Sequence, residues 1–146
     1  MKILILSGSN RDNRKSHRLA LHLKAQLEQK GHQIRFFDVM EHPIPLLEDI
    51  YARLDQPGES LQIFKSYLDE VDHIIVVTPE YNGHFAPAVK NTLDHFKPEY
   101  SKKAIGVATA SNGKMGGIRA SMHMQAYVLA LGGYPCPKIG MVPFVH

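Results

Sequence analysis

The chain has 146 residues, 44% of them hydrophobic and 21% charged, with one cysteine and no tryptophan. That length suits a single domain that holds its core without disulfide or metal staples. The composition excludes disordered and collagen-like chains, and one cysteine excludes multi-cysteine zinc and iron–sulfur sites. No apolar run approaches the roughly 20 residues of a membrane span. Seventeen Lys and Arg against 14 Asp and Glu leave a net charge of +3, too mild for a nucleic-acid stripe. The short apolar start runs straight into Gly8 and Asn10, unlike a secretion signal, so a cytoplasmic location is expected.

Strand-like and helix-like segments alternate along the chain. Residues 2–7 (KILILS) form a short apolar run, as in a strand buried on both faces. Residues 17–30 carry Leu19, Leu23 and Leu27 on one helical face, with Ser16 placed to cap the helix and Gly31 to end it. Residues 33–38 read as a second strand. Pro43, Pro45 and Pro57 forbid a long helix over 39–57, but the apolar Ile44, Leu46 and Leu47 predict that this long segment packs down. Leu61, Phe64, Tyr67 and Leu68 mark a helix over 59–70, and HIIVVT at 73–78 is the central strand. Pro87 suits the first turn of a helix over 86–96. Residues 103–110 predict a fourth strand and 118–131 a helix ended by Gly132 and Gly133. Residues 134–142, interrupted by Pro135 and Pro137, predict an irregular or edge strand.

This alternation predicts an α/β fold: a five-stranded parallel sheet, order 2-1-3-4-5, with helices on both faces. Ligands bind such sheets at the carboxyl ends of the strands, near the switch in strand order. The loops after the first, third and fourth strands then converge. GSNRDNRKS at 8–16 offers one glycine, hydroxyls, an amide and a helix start; it lacks the P-loop ending and GxGxxG, and suits a phosphate monoester. PEYNGHF at 79–85 offers an aromatic face and an amide, although Asn82-Gly83 also reads as a plain turn. SNGKMGG at 111–117 has three glycines, which need positive φ or close backbone approach, as a flat ring would demand. The nine histidines lack metal-ligand spacing, so no metal site is expected.

Three stretches carry a family resemblance: GSNRDNRKSHRLA at 8–20, TPEYNGHFAPAVKNTLDHF at 78–96, and SNGKMGGIR at 111–119 with LGG at 131–133. Together they resemble the NAD(P)H-dependent FMN reductases of the flavodoxin-like superfamily, which include quinone, azo-dye and chromate reductases. The resemblance implies a flavodoxin-like three-layer sandwich as one FMN-binding domain over residues 1–146, with FMN as cofactor and NAD(P)H as co-substrate. It also implies a small electron acceptor (a quinone, azo compound, metal oxyanion or free flavin) and a homodimer or homotetramer.

Residue by residue, Ser9, Asn10, Arg11, Ser16 and His17 match the loop that binds the FMN phosphate. Pro79, Glu80, Tyr81 and Asn82, with the adjoining Gly83, match the loop at the isoalloxazine edge. Ser111, Asn112, Gly113, Gly116 and Gly117 match the loop along the ring's other side. The cofactor supplies the chemistry, so the resemblance implies no protein acid, base or nucleophile. The alternative is a flavodoxin-type electron carrier, or a flavin-binding redox sensor, without nicotinamide turnover. Carriers of that type are strongly acidic, whereas this chain is net +3. Two departures stand out: four residues separate Arg11 from Ser16, a longer loop than in many relatives, and the chain ends at the fifth strand, so the expected form lacks the final helix.

Overall fold

The computed structural model describes all 146 residues. Five parallel strands carry the sheet: β1 (Lys2–Ser7), β2 (Gln33–Asp38), β3 (His73–Tyr81), β5 (Ala104–Ala110) and β6 (Tyr134–Val142). They lie in the order β2-β1-β3-β5-β6, which is the order expected for five parallel strands. One element is additional: a two-residue strand β4 (His84–Phe85) folds back antiparallel onto the end of β3. Its source is turn chemistry. Asn82 and Gly83 both have positive φ, 52° and 80°, the backbone that a tight two-residue hairpin needs. The central strand therefore runs on to Tyr81, and Pro79–Tyr81, expected in a loop, continue the strand.

The helices are α1 (Lys15–Gln29), α2 (Glu59–Glu70), α3 (Pro87–Asp94) and α4 (Ile118–Ala130). The larger core cluster joins Leu61, Phe64 and Leu68 of α2, Val89 and Leu93 of α3, and Met124 and Val128 of α4 to Leu4, Leu6, Ile74, Val76, Ile105 and Val107 of the sheet. On the opposite face Leu19, Ala20, Leu23 and Leu27 of α1 cover Ile5, Val77 and Ala108. Gly31 ends α1 as expected. It adopts φ +80°, its N–H bonds to the Glu28 carbonyl, and the His32 N–H reaches back to Leu27, which satisfies two carbonyls otherwise left over. Pro135 and Pro137 do sit on an edge strand, and the β5–β6 register slips between Ile105 and Val107.

Residues 39–57 form a long excursion containing one 3-10 turn (Tyr51–Arg53), and Ile44, Tyr51 and Leu54 pack against the main core. Beneath it, the Tyr100 hydroxyl is fully buried and donates to the Leu93 carbonyl at 3.0 Å. Burial pushes this phenol well above its ordinary range. Burial does the same to Tyr127, helped by its hydrogen bond to Asp94. The consequence is a loss of stability in alkali. An unfolded tyrosine releases its proton near pH 10 while the folded Tyr100 still holds it, so stability is intact below about pH 10 and falls as pH rises above it. Urea unfolding between about pH 9 and 11 is expected to show this decline, with Tyr100 contributing up to about 1.4 kcal/mol per pH unit. Tyr100→Phe is expected to flatten the decline by that share; an unchanged slope refutes the assignment.

Candidate functional site

The sheet delivers three loops to one rim, and a cleft of about 540 Å³ opens there. Ser9, Arg11 and Ser16 line it from the first loop, Pro79, Glu80 and Tyr81 from the end of β3, and Ser111 and Asn112 from the loop after β5. Its volume lies in the range of small-molecule sites. The first and second groups touch directly. The Ser9 hydroxyl lies 3.0 Å from the Tyr81 hydroxyl, and the Arg11 guanidinium sits 5.4 Å from the centroid of the Tyr81 ring.

The first turn of α1 is built for an anion. Its N-cap is Arg14, and no side chain caps the helix, so the leading N–H groups keep no side-chain partner. Ser16, expected as the cap, instead sits inside the first turn. Its hydroxyl is buried and makes no hydrogen bond, the one such side-chain atom in the structure. Arg11 and Lys15 reach the cleft with no carboxylate partner in ion-pair range. A buried hydroxyl without a partner, open amides and two unpaired cations are what a phosphate monoester satisfies.

Arg14 lies in the lengthened part of the loop and is spoken for. It pairs through both guanidinium nitrogens with Asp38 at the end of β2 and donates to the Ser9 carbonyl at 2.8 Å. Asp38 also accepts from the Met40 amide at 3.0 Å. The sequence reading missed this brace, whose partners stand 24 residues apart with no local signal linking them. His17, expected in the phosphate loop, turns away from the cleft. Its Nδ1 stands 3.0 Å from the Ser7 hydroxyl and 3.3 Å from Asp38. Both contacts use one ring nitrogen, so this trio is not wired as a Ser-His-Asp relay, which uses both.

Other expected residues flank the cleft. Asn10 faces a neighbouring groove, and Asn82 occupies the hairpin tip with Gly83. Gly113, Gly116 and Gly117 line an adjoining hollow beyond Glu80 and Ser111. The glycines have separate reasons. Gly116 and Gly117 take φ +59° and +89°, and a Cβ on Gly117 would stand 2.8 Å from Thr109. Internal packing thus accounts for both, without a flat ring, and Gly113 has neither constraint. Glu80 accepts from the Ala120 amide at 3.3 Å, so it caps the start of α4 rather than standing free in solvent. The sequence reading also missed Asp12, Asn13, Lys15, Val145 and His146 in the cleft wall; the last two arrive because the tail returns along Ser111, whose carbonyl accepts from Val145 at 3.3 Å.

A parallel sheet in this strand order, with an uncapped helix start and three loops around one rim, defines a flavodoxin-like mononucleotide-binding domain. Residues 1–146 match the NADPH-dependent FMN reductases, and the chain belongs to that family. It is an oxidoreductase with FMN as cofactor and reduced nicotinamide as co-substrate. Among curated proteins it is similar to an FMN-dependent NADPH-azoreductase of Staphylococcus saprophyticus, 29% identical over 143 residues, covering 94% of this chain and 74% of that protein. The corresponding azoreductase of Staphylococcus haemolyticus is 28% identical over the same shares. Among solved structures, the fold is shared with the NAD(P)H:acceptor oxidoreductase FerB of Paracoccus denitrificans (TM-score 0.75, 20% identity, 94% of this chain and 77% of that one). It is also shared with the apo form of an NADH:FMN oxidoreductase (TM-score 0.78, 20% identity, 98% of this chain and 75% of that one).

The residues present fit FMN. The unpartnered Ser16 hydroxyl and the open start of α1 suit its phosphate, and the polar cleft leads from there to Tyr81 and Asn112. No helix is long and apolar enough to cross a membrane.

Proposed function

We propose that this chain, as one FMN-binding domain over residues 1–146, is a cytoplasmic reductase that passes electrons from NAD(P)H through FMN to a small acceptor. The observation that carries the site assignment is the buried, unpaired Ser16 hydroxyl at the uncapped start of α1, inside the cleft that all three loops line. In this reading Ser16, Arg11, Lys15 and the first amides of α1 hold the phosphate. Ser9 and Tyr81, already hydrogen-bonded to each other, form the wall along the ribityl chain. Pro79–Tyr81 and Ser111–Asn112 flank the ring, with Asn82 at its outer edge and Gly113 beyond. Glu80 holds α4 in register behind the ring rather than moving a proton. When bound, FMN supplies a two-electron relay: hydride in from the nicotinamide, two electrons out to the acceptor.

Azoreductase activity in the staphylococcal relatives supports an azo or quinone acceptor. The exposed Met122 and Leu129, seven residues apart on α4, support a homodimer, from which a homotetramer can be assembled.

The test begins with FMN titration of the purified protein. Ser16→Ala and Arg11→Ala are each expected to weaken FMN binding by about 1.5–3 kcal/mol, the worth of a hydrogen bond to a charged group. Ser9→Ala is expected to cost less, because that hydroxyl already has Tyr81 as a partner. Unchanged affinity in both Ser16→Ala and Arg11→Ala means the phosphate lies elsewhere. Anaerobic mixing of the FMN-loaded protein with NADPH is expected to bleach the flavin band. Persistence of the band would leave an electron carrier without a nicotinamide site.

A further inference from the structure

The groove beside the cleft bears on the acceptor. It encloses about 360 Å³ and meets the main cleft at Tyr81. Pro43, Ile44 and Leu46 of the long segment supply one wall, and Tyr81, Ala88 and Asn10 also line it. No lysine, arginine or carboxylate lines it. That lining disfavours a metal oxyanion, which needs cations or several donors to replace its hydration. It favours a flat, uncharged aromatic molecule.

The wall does not hold itself in place. Residues 39–57 contain three prolines and one short turn, and Leu46 projects with 83% of its surface exposed. Ile44 packs against the core, but no backbone hydrogen bond holds residues 43–47, and one side chain ties that stretch to α3. The Asn91 amide group on α3 donates to the Ile44 carbonyl at 3.2 Å and the Pro45 carbonyl at 2.8 Å, while its oxygen accepts from the Leu47 N–H at 2.9 Å. Both N–H bonds and the oxygen are committed to the segment, so Asn91 acts on a ligand only through the wall that it holds. Aspartate could not replace it, since two carbonyls would then face a carboxylate.

We infer that Asn91 is the positioning residue for the acceptor site, and that the groove it shapes takes a neutral planar acceptor of the quinone or azo type. This rests on the FMN cleft proposed above. The natural probe is 2-methyl-1,4-naphthoquinone, compared with ferricyanide, a compact trianion that has no use for an apolar wall. In the FMN-loaded enzyme, Asn91→Ala is expected to raise KM for the naphthoquinone about five- to tenfold, with kcat within about twofold and ferricyanide turnover unmoved. Leu46→Ser, on an exposed side chain that poses no folding risk, is expected to shift KM in the same direction. In the FMN-free protein, the Leu47 amide of Asn91→Ala is expected to exchange with solvent at least about tenfold faster.

Equal KM changes for both acceptors, or none for the naphthoquinone, overturn the inference. So does a loss of FMN affinity in Asn91→Ala, or an unaltered Leu47 exchange rate. A wild-type protein that takes up no FMN removes the cleft assignment itself, and the titration reveals this before any variant is made.

Discussion

Asp38→Ala is expected to lower the stability of the FMN-free protein by about 3–5 kcal/mol, the cost of leaving a buried charge without its partner. Asp38 is 1% exposed and Arg14 12%, so water does little to rescue the stranded guanidinium. The Met40 amide loses its acceptor as well. Against a total stability of about 5–15 kcal/mol for a typical domain, this is a large fraction, and equilibrium urea unfolding measures it directly. A loss under about 1 kcal/mol would mean that the pair is hydrated in solution. The companion double variant Arg14→Met/Asp38→Leu separates two roles of the brace. With both charges gone no buried ion is orphaned, so most of the lost stability is expected to return. The tie from Arg14 to the Ser9 carbonyl does not return, so FMN affinity is expected to stay below that of the wild type. Full recovery of both would show that the brace serves stability alone.

What the sequence disclosed, and what it withheld, follows from the range of the interactions concerned. The parallel strands were legible because KILILS and HIIVVT are apolar without alternation, a pattern that burial on both faces imposes locally. Gly31 and Gly132 were legible as helix ends because the left-handed backbone is a property of single residues. The hairpin at Asn82-Gly83 was readable as turn chemistry, yet proximity to an aromatic drew the reading toward a ligand loop. Ser16 illustrates a subtler limit. A serine before an apolar periodic run looks like a cap, but the helix starts two residues earlier, at Lys15, and the same hydroxyl becomes a buried donor without a partner. Arg14 with Asp38, 24 residues apart, and Asn91 with Ile44, 47 apart, leave no periodic trace, because nothing local requires either partner. The loops' convergence was inferable only through the strand order, which the right-handed crossover rule restricts.

The second large effect is expected at Gly8, where β1 turns into the phosphate loop. Its N–H bonds to the Val77 carbonyl at 2.8 Å, which draws the turn tightly against β3. A Cβ added here would collide with Val89 Cγ2 and stand 2.9 Å from the Val77 carbonyl oxygen. Its backbone is not in the left-handed region, so the requirement for glycine is one of space alone. Gly8→Ala therefore overpacks the junction of β1, β3 and α3, and is expected to cost about 3 kcal/mol, the upper part of the range for such insertions. Because the turn carries Ser9, FMN affinity is expected to fall with it. The clash has a named partner, which permits a sharper test than the single variant. Val89→Ala alone removes a fully buried side chain and is expected to destabilise by about 2 kcal/mol through the cavity it leaves. Combined with Gly8→Ala, the space vacated at Val89 admits the new methyl, and the two losses are expected to sum to at least about 1 kcal/mol less than their separate values. The Val77 carbonyl still crowds the methyl, so recovery stays incomplete. Strict additivity in this double-mutant cycle would mean that the strand–loop junction relaxes away from α3 instead of pressing on it, and the tight turn that aims the phosphate loop at the cleft would lose its explanation.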